Sequence, residues 1–260
     1  MNIVNKKKIL ITGLSNKYSI SFGIANCLYK YGAKLAFTYQ NEKIKNKILK
    51  IAQDFNSDIV LPCDVSSDES IQNLFIQLKK KWKTFDGFIH SIAYAPTEEL
   101  KDDYINTVTR KGFIISHSIS SYSLVALAKF CRNMLNPYSS IVTLTYLGAE
   151  RVVPNYNVMG PAKASLEANV KYMANYMGEK NIRVNGISSG PIKTLASSRI
   201  KNFRKMLSFY KNVTPLKIII NSEDIGNCAT FLCSDLSKGI TGEIIHVDGG
   251  FHITTMNLLE

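Results

Sequence analysis

Short apolar runs alternate with longer amphipathic segments along the whole chain. The runs are rich in β-branched and aromatic residues and end at glycine, proline or polar residues, a pattern typical of buried strands. They predict strands at 8–12, 34–39, 59–61, 88–92, 141–145, 183–188 and 243–247. The segments between them repeat apolar positions every three or four residues, and predict helices at 21–31, 42–55, 67–83, 109–135 and 223–232.

This alternation of strands and helices decides the fold class. Strand–helix–strand units with right-handed crossovers build an α/β fold around a parallel sheet. We predict a Rossmann-type, doubly wound sheet of about seven strands with helices on both faces. No proline- or serine-rich linker divides the 260 residues, so the chain is predicted to form a single domain over 1–260.

The formal net charge of +12 first suggests a basic protein that binds nucleic acid. The lysines are spread along the chain, however, and no arginine-rich run with interleaved aromatic residues is present. The repeated strand–helix order with polar loops also argues against a basic nucleic-acid-binding protein. We therefore expect a solvated basic surface and no nucleic-acid partner.

Cysteine and histidine usage gives no sign of a metal site or a disulfide framework. The five cysteines are an odd number without a Cys-x-x-Cys pair, and the four histidines are scattered. The basic residues near the N-terminus precede only a short apolar run, and no apolar segment approaches membrane-spanning length. These features predict a cytoplasmic protein without membrane contact.

Three residues carry the candidate chemistry. Tyr156 and Lys163 are seven residues apart, so on a helix they lie about two turns apart on nearly the same face. An adjacent ammonium favours the phenolate and makes the phenol a better hydrogen-bond donor. Tyr146 ends the predicted strand 141–145 and would lie at the carboxyl end of the sheet, where open α/β folds bind ligands. One pocket can therefore contain all three.

The alternative is an ordinary surface pair, because tyrosine and lysine are common in this chain. The pair gains weight only from the residues around it. Pro161 lies between the two, and proline is tolerated only in the first turn of a helix. We therefore predict that the helix carrying Lys163 begins at 157–159.

The first strand leads through a loop into a helix, as in dinucleotide-binding folds. Gly13 permits a tight turn, Ser19 can bind phosphate, and Gly23 would let the helix approach the sheet and a cofactor closely. The loop lacks the full three-glycine fingerprint, so a plain strand–helix turn would look much the same. Gln40 ends the second strand, where such folds commonly place an acid against the adenosine ribose.

After the sixth strand, a loop that begins Gly-Pro leaves the sheet. Its backbone donors and the Thr194 hydroxyl can wrap the nicotinamide end of a dinucleotide, and the segment continues as a substrate-binding lid at about 193–210. Lys201, Arg204 and Lys205 are spaced at i, i+3 and i+4, which puts three positive charges on one helical face. A solvated basic face is the alternative interpretation of these charges.

Taken together, these residues resemble the short-chain dehydrogenase/reductases, and more closely their divergent branch, the bacterial enoyl-acyl carrier protein reductases. The resemblance covers nearly the whole chain. Ordinary members of the superfamily place their tyrosine and lysine four apart, whereas enoyl reductases place them seven apart, as in this chain. The motifs that carry the resemblance lie at 13–23, 63–65, 90–92, 146–151, 156–163 and 190–196.

The resemblance implies a reaction and a role for each catalytic candidate. It implies NADH-dependent reduction of the 2,3 double bond of enoyl-acyl carrier protein thioesters in fatty acid elongation, by a homotetramer. Tyr156 would donate to the enolate oxygen, Lys163 would hold the nicotinamide ribose, and Tyr146 would be an auxiliary hydroxyl near the substrate. A 3-ketoacyl reductase or another short-chain dehydrogenase would share the cofactor half, but the seven-residue interval argues against it.

The same resemblance assigns further contacts. Ala95 joins Tyr146 and Tyr156 near the substrate. Acyl carrier protein would bind at Lys201, Arg204 and Lys205, since an acidic partner requires a basic surface beside the lid. The residues assigned to NADH are Gly13, Ser19, Ile20, Gln40, Asp64, Val65, Ile92, Lys163, Ile192, Lys193, Thr194, Leu195 and Ala196.

Overall fold

A computed structural model describes residues 2–101, 103–194 and 203–254. In this part of the chain, seven strands form one sheet in the order β3-β2-β1-β4-β5-β6-β7, and all neighbouring pairs are parallel. The predicted doubly wound parallel sheet is confirmed. The strands are β1 (Lys8–Thr12), β2 (Lys34–Tyr39), β3 (Val60–Pro62), β4 (Phe85–His90), β5 (Leu135–Thr145), β6 (Arg183–Ser189) and β7 (Ile244–Val247).

Helices cover both faces of this sheet, and each face has its own apolar core. Helices α3, α6 and α7 pack on one face, and α1, α2 and α9 pack on the other. The helices are α1 (Ile20–Lys30), α2 (Glu42–Gln53), α3 (Asp68–Lys81), α4 (Tyr104–Thr107), α5 (Arg110–His117), α6 (Ser123–Cys131), α7 (Met159–Gly178), α8 (Phe203–Val213) and α9 (Ser222–Cys233).

The predicted central helix 109–135 is interrupted at its middle. Between α5 and α6 lies one turn of π-helix, Ser118–Tyr122. The Ser123 hydroxyl donates to the Ile119 carbonyl oxygen at 2.6 Å, a side-chain bond that competes with regular helical bonding. The spacing of apolar residues along the sequence does not reveal such a side-chain bond. The prediction of one continuous helix over 109–135 was therefore wrong at the π-helical turn.

The stretch Arg110–Met134 is also long and apolar enough, by length and composition alone, to meet the criteria for a membrane span. The sequence prediction that no segment approaches this length needs correcting. A core helix meets the same criteria, and Leu124, Leu127 and Cys131 of this stretch are fully buried in the core beneath the sheet.

Gly23 lies at the crossing of α1 and α9. A Cβ atom on Gly23 would lie 2.4 Å from the Cβ of Ser222 at the start of α9. A Cβ on Gly226 would in turn lie 2.6 Å from both the Cys27 sulfur and the Gly23 carbonyl oxygen. The absence of side chains at these two positions lets α1 and α9 cross closely. Gly23 therefore serves the packing of α1 against α9.

Candidate active site

Helix α7 begins at Met159, within the predicted range 157–159. Pro161 is the third residue of the helix. The Asn157 carbonyl oxygen, which a residue at 161 would use in a regular helix, accepts instead from the Gly160 N–H at 2.9 Å. The missing N–H of Pro161 therefore leaves no gap in the bonding, and the predicted start of the helix is confirmed.

Two hydrogen bonds fix α7 against the carboxyl end of β5. The Lys163 ammonium donates to the Leu144 carbonyl oxygen at 2.7 Å, and the Thr145 hydroxyl donates to a Glu167 carboxylate oxygen at 2.6 Å. Lys163 and Glu167 are one helical turn apart, so both side chains reach the same strand end. This arrangement holds the Lys163 charge at a defined point above the sheet.

Tyr146, the residue directly after β5, lies against Tyr156. Their ring centroids are 5.0 Å apart with an interplanar angle of 70°, an edge-to-face contact. A Cβ atom on Gly148 would lie 2.4 Å from the Tyr156 ring, so the glycine leaves room for that ring. The structure therefore brings the two predicted catalytic tyrosines together at the end of β5. The Leu144 carbonyl oxygen of the same strand accepts from the Lys163 ammonium.

Burial controls the ionisation of these groups. Lys163 is 4% exposed, and burial lowers the pKa of its ammonium to about 8, an effect that the Glu167 carboxylate partly opposes. Burial also raises the pKa of Tyr156, and Tyr146 and Glu167 add to this increase. The sequence argument expected a cation to favour the phenolate, and the net shift has the opposite sign. Tyr156 therefore keeps its proton at neutral pH and can act as a donor.

The loop after β1 approaches the loop after β4 closely at Gly13. Gly13 has a φ of +81°, and a Cβ atom there would lie 1.9 Å from the Ser91 carbonyl oxygen and 3.1 Å from the Ile92 side chain. Only glycine fits this backbone and this space. The structure thus places Gly13 and Ile92 together at the carboxyl ends of two adjacent strands.

The N-terminus of α1 opens beside this crossing. Ser19 is its N-cap residue, but the serine hydroxyl donates to the Asn16 carbonyl oxygen at 2.6 Å and accepts from Ser21 at 3.0 Å. Within the described residues, no side chain caps the first turn of α1. The Phe22 N–H donates to the Ser19 carbonyl oxygen at 3.1 Å, and the backbone N–H groups ahead of it, including that of Ile20, are donors of the kind that bind a phosphate group at a helix N-terminus. This cradle fits the pyrophosphate of a dinucleotide.

The remaining cofactor candidates follow the other strand ends. Gln40 is exposed directly after β2, and Val65 is buried beyond the end of β3. The Asp64 carboxylate accepts from the Ser66 N–H and hydroxyl at 3.0 and 2.8 Å, which fixes this turn. After β6, Ile192 is buried, Lys193 is exposed and Thr194 is half-buried, whereas Leu195 and Ala196 lie outside the described residues.

The loop after β4 carries the predicted substrate residue Ala95, which is half-buried. Its neighbour Tyr94 is fixed to the π-helical turn, because the Tyr94 N–H donates to the Ser120 hydroxyl oxygen at 2.9 Å and the Tyr94 carbonyl oxygen lies 3.0 Å from the same atom. Ser120 also lies 3.7 Å from the sulfur of Met159, the first residue of α7. The loop is thus held beside the start of α7.

Comparisons with known proteins agree with this arrangement. A family model described as Enoyl-(Acyl carrier protein) reductase matches residues 13–252. The Enoyl-[acyl-carrier-protein] reductase [NADH] of Escherichia coli K12 is 59% identical over 260 residues, covering 100% of this chain and 99% of that protein. The chain belongs to the enoyl-acyl carrier protein reductase family. The predicted membership of this branch is confirmed, in preference to a 3-ketoacyl reductase.

Solved enoyl-acyl carrier protein reductases have the same fold over their whole length. The Aquifex aeolicus enzyme superposes with a TM-score of 0.95 at 46% identity, covering 98% of this chain and 99% of that one. The Anaplasma phagocytophilum enzyme, solved in complex with NAD, gives a TM-score of 0.94 at 41% identity, covering 98% and 97%. The seven-stranded enoyl reductase fold therefore extends over nearly the entire chain.

Sequence analysis missed Tyr210, a further tyrosine that lies beside Tyr146. Its hydroxyl oxygen lies 3.0 Å from that of Tyr146. Tyr210 is on α8, and it follows Phe203 and Leu207 at the four- and three-residue spacing of one helical face. The helical spacing of the apolar residues Phe203 and Leu207, extended by one turn along the sequence, would have found Tyr210.

The basic face predicted for the carrier protein is only partly described. Helix α8 begins at Phe203, and Lys205 is exposed on it. Lys201 and the side chain of Arg204 lie outside the described part of the chain. Of the predicted lid at 193–210, the structure describes the first two residues and the portion that belongs to α8.

Proposed function

We propose that this chain is an NADH-dependent enoyl-acyl carrier protein reductase, which reduces the 2,3 double bond of an enoyl thioester in fatty acid elongation. The observation that carries the proposal is the grouping of Tyr146, Tyr156 and Lys163 at the carboxyl end of β5. The 59% identity to the Escherichia coli enzyme over the full chain supports it.

NADH, when bound, supplies a hydride to the β-carbon of the enoyl thioester. The thioester then carries negative charge on its oxygen as an enolate, to which the Tyr156 hydroxyl would donate a hydrogen bond. A proton supplied by solvent to the α-carbon would complete the reduction. Because burial raises the pKa of Tyr156, the phenol is protonated at neutral pH and ready to donate. A donor held in place before the reaction stabilises developing charge without reorganising.

Lys163 would hold the nicotinamide ribose hydroxyls and supply positive potential to the same oxygen. Its ammonium donates to the Leu144 carbonyl oxygen, which fixes its position. Within the described residues this uses one of its three N–H groups and leaves two for ligands. The open first turn of α1 and the glycine turn at Gly13 would hold the pyrophosphate. Gln40, Asp64, Val65, Ile92 and the segment 192–196 would complete the NADH site.

The direct test is a spectrophotometric assay of NADH oxidation with a 2-enoyl thioester, compared with a 3-ketoacyl thioester. We expect turnover of the enoyl substrate and little with the ketoacyl substrate. Turnover of the ketoacyl thioester alone would identify a ketoreductase instead. No oxidation with either thioester would contradict the proposed reaction as a whole.

We predict that NADH is preferred over NADPH by at least about tenfold in kcat/KM, since Gln40 offers no positive charge to a 2′-phosphate. Glu42, which accepts from Tyr39 and Lys45 at 3.1 and 3.0 Å, adds a negative charge two residues beyond Gln40. Lys43, exposed three residues beyond Gln40, is a positive charge that could reach a 2′-phosphate. The measurement is the ratio of kcat/KM for the two cofactors. Gln40→Arg should raise activity with NADPH, and equal wild-type activity with both cofactors would contradict the preference.

We also propose that acyl carrier protein delivers the substrate to the basic face formed by Lys201, Arg204 and Lys205. The lid at about 193–210 would open for its acyl chain. Lys205 is exposed on α8, the helix that carries Tyr210 towards Tyr146, so a partner docked there would lie beside the site. Family resemblance further supports a homotetramer in the cytoplasm.

Reversing two of these charges, with Arg204→Glu and Lys205→Glu, should raise the KM for a carrier-linked enoyl substrate about tenfold or more at low salt. A small coenzyme A thioester should be barely affected. Lys79→Glu is the matched control, since Lys79 is exposed in the last turn of α3, before the amino end of β4. If both substrates suffer equally, the charges serve the fold of the lid and the carrier docks elsewhere.

A further inference from the structure

Tyr210 links α8 to the catalytic residues through a single hydrogen bond. Its hydroxyl oxygen lies 3.0 Å from the Tyr146 hydroxyl oxygen, and Tyr146 in turn lies edge-to-face on Tyr156. Tyr210 is 6% exposed although it belongs to a surface helix. Within the described part of the chain, this is the one side-chain hydrogen bond that joins α8 to the Tyr146 region.

The ring of Tyr210 is fixed from its other side. It stacks on Phe251 with a centroid distance of 3.9 Å and an interplanar angle of 26°. Phe251 follows β7, and the turn that carries it is held by the Asp248 carboxylate, which accepts from the Gly250 and His252 N–H groups at 2.9 and 2.8 Å. Because the ring is held by the turn after β7, its hydroxyl is directed to one place.

The two hydroxyls share one hydrogen bond, and its direction matters. Burial raises the pKa of both Tyr146 and Tyr210, so both phenols are protonated at neutral pH. If Tyr210 donates to Tyr146, the Tyr146 proton is left for an acceptor in the site. The thioester oxygen of the bound substrate is such an acceptor before the reaction as well as during it, and donors in a chain strengthen one another.

We propose that Tyr210 is a positioning residue for the enoyl substrate. Its hydroxyl binds Tyr146 by a hydrogen bond, which ties α8 to Tyr146 and orients the Tyr146 hydroxyl towards the thioester oxygen. This inference rests on the proposed function. It adds a role for α8 beyond carrier docking, because the helix that bears the predicted basic face also sets the position of a hydroxyl beside Tyr156.

Tyr210→Phe is the sharpest test, since it keeps the ring stacked on Phe251 and removes only the hydroxyl. We expect the KM for a 2-enoyl coenzyme A thioester to rise about fivefold, as loss of one neutral hydrogen bond predicts. The value of kcat and the Kd for NADH should stay within about twofold, because Tyr210 touches neither Tyr156 nor Lys163 in the described hydrogen bonds. Tyr138→Phe, an exposed tyrosine on the amino half of β5, is the matched control and should change nothing.

A double-mutant cycle distinguishes an effect through the Tyr210–Tyr146 hydrogen bond from a general structural role of Tyr210. If Tyr210 acts through Tyr146, the Tyr146→Phe/Tyr210→Phe variant should be no worse than Tyr146→Phe alone. Additive losses would overturn the proposal, as would an unchanged KM in Tyr210→Phe. A rise in kcat would also overturn it, since the bond would then restrain product release. An inactive wild-type enzyme would instead contradict the proposed function, so the two failures are distinguishable.

Discussion

Tyr156→Phe is expected to lower kcat for enoyl reduction by about 100- to 1000-fold, the usual cost of removing one donor to a developing oxyanion. The ring remains, so its packing on Gly148 and Tyr146 is preserved. The Kd for NADH should stay within about twofold, because the lost hydroxyl acts only on substrate charge. Stopped-flow measurement of hydride transfer and calorimetry of NADH binding check the two halves of this expectation.

Lys163→Ala, unlike Tyr156→Phe, should weaken NADH binding. It removes the charge fixed at the Leu144 carbonyl oxygen, so NADH binding should weaken at least about tenfold and turnover should be abolished with it. Lys171→Ala is the control, because Lys171 is exposed on the same helix two turns further on. If calorimetry shows that Tyr156→Phe weakens NADH as much as Lys163→Ala does, the division of roles between donor and cofactor anchor is wrong.

Elements with strong periodicity were predictable from the sequence to within a few residues. β1 and β2 have the predicted bounds, and α7 begins where Pro161 requires it. β4 is displaced, since it spans Phe85–His90 rather than 88–92. Apolar residues continue beyond its end, but the ladders to β1 and β5 stop at His90, and only pairing decides where a strand ends.

The sequence could not give contacts that depend on three-dimensional packing. The sign of the Tyr156 pKa shift follows from burial, which outweighs the influence of any nearby cation. Glu167 became part of the site only through its bond to Thr145, and helical periodicity can place Tyr210 on one face of α8 but not against Tyr146. Each of these pairs joins residues more than twenty positions apart, a separation at which local patterns carry no information.

NADH affinity should fall as the pH rises through about 8, because that is where the buried Lys163 ammonium loses its proton in the free enzyme. Below this pH the charge is present and the Kd should be constant. Above it, a ligand that requires the charged form must bind together with a proton, so the Kd should rise by up to about tenfold per pH unit. Fluorescence titrations with NADH at several pH values between about 6 and 9.5 measure this rise in Kd, the alkaline limb of the pH profile.

Glu167 and Lys163 variants identify the group responsible. Glu167 opposes the effect of burial on Lys163, so Glu167→Gln should lower the pKa of Lys163 further and move the limb to lower pH. Lys163→Arg should abolish the limb whatever its absolute affinity, because a guanidinium stays charged across the whole range. If Lys163→Arg keeps the same alkaline limb, another group titrates there, and the ammonium is not the charge that controls cofactor binding.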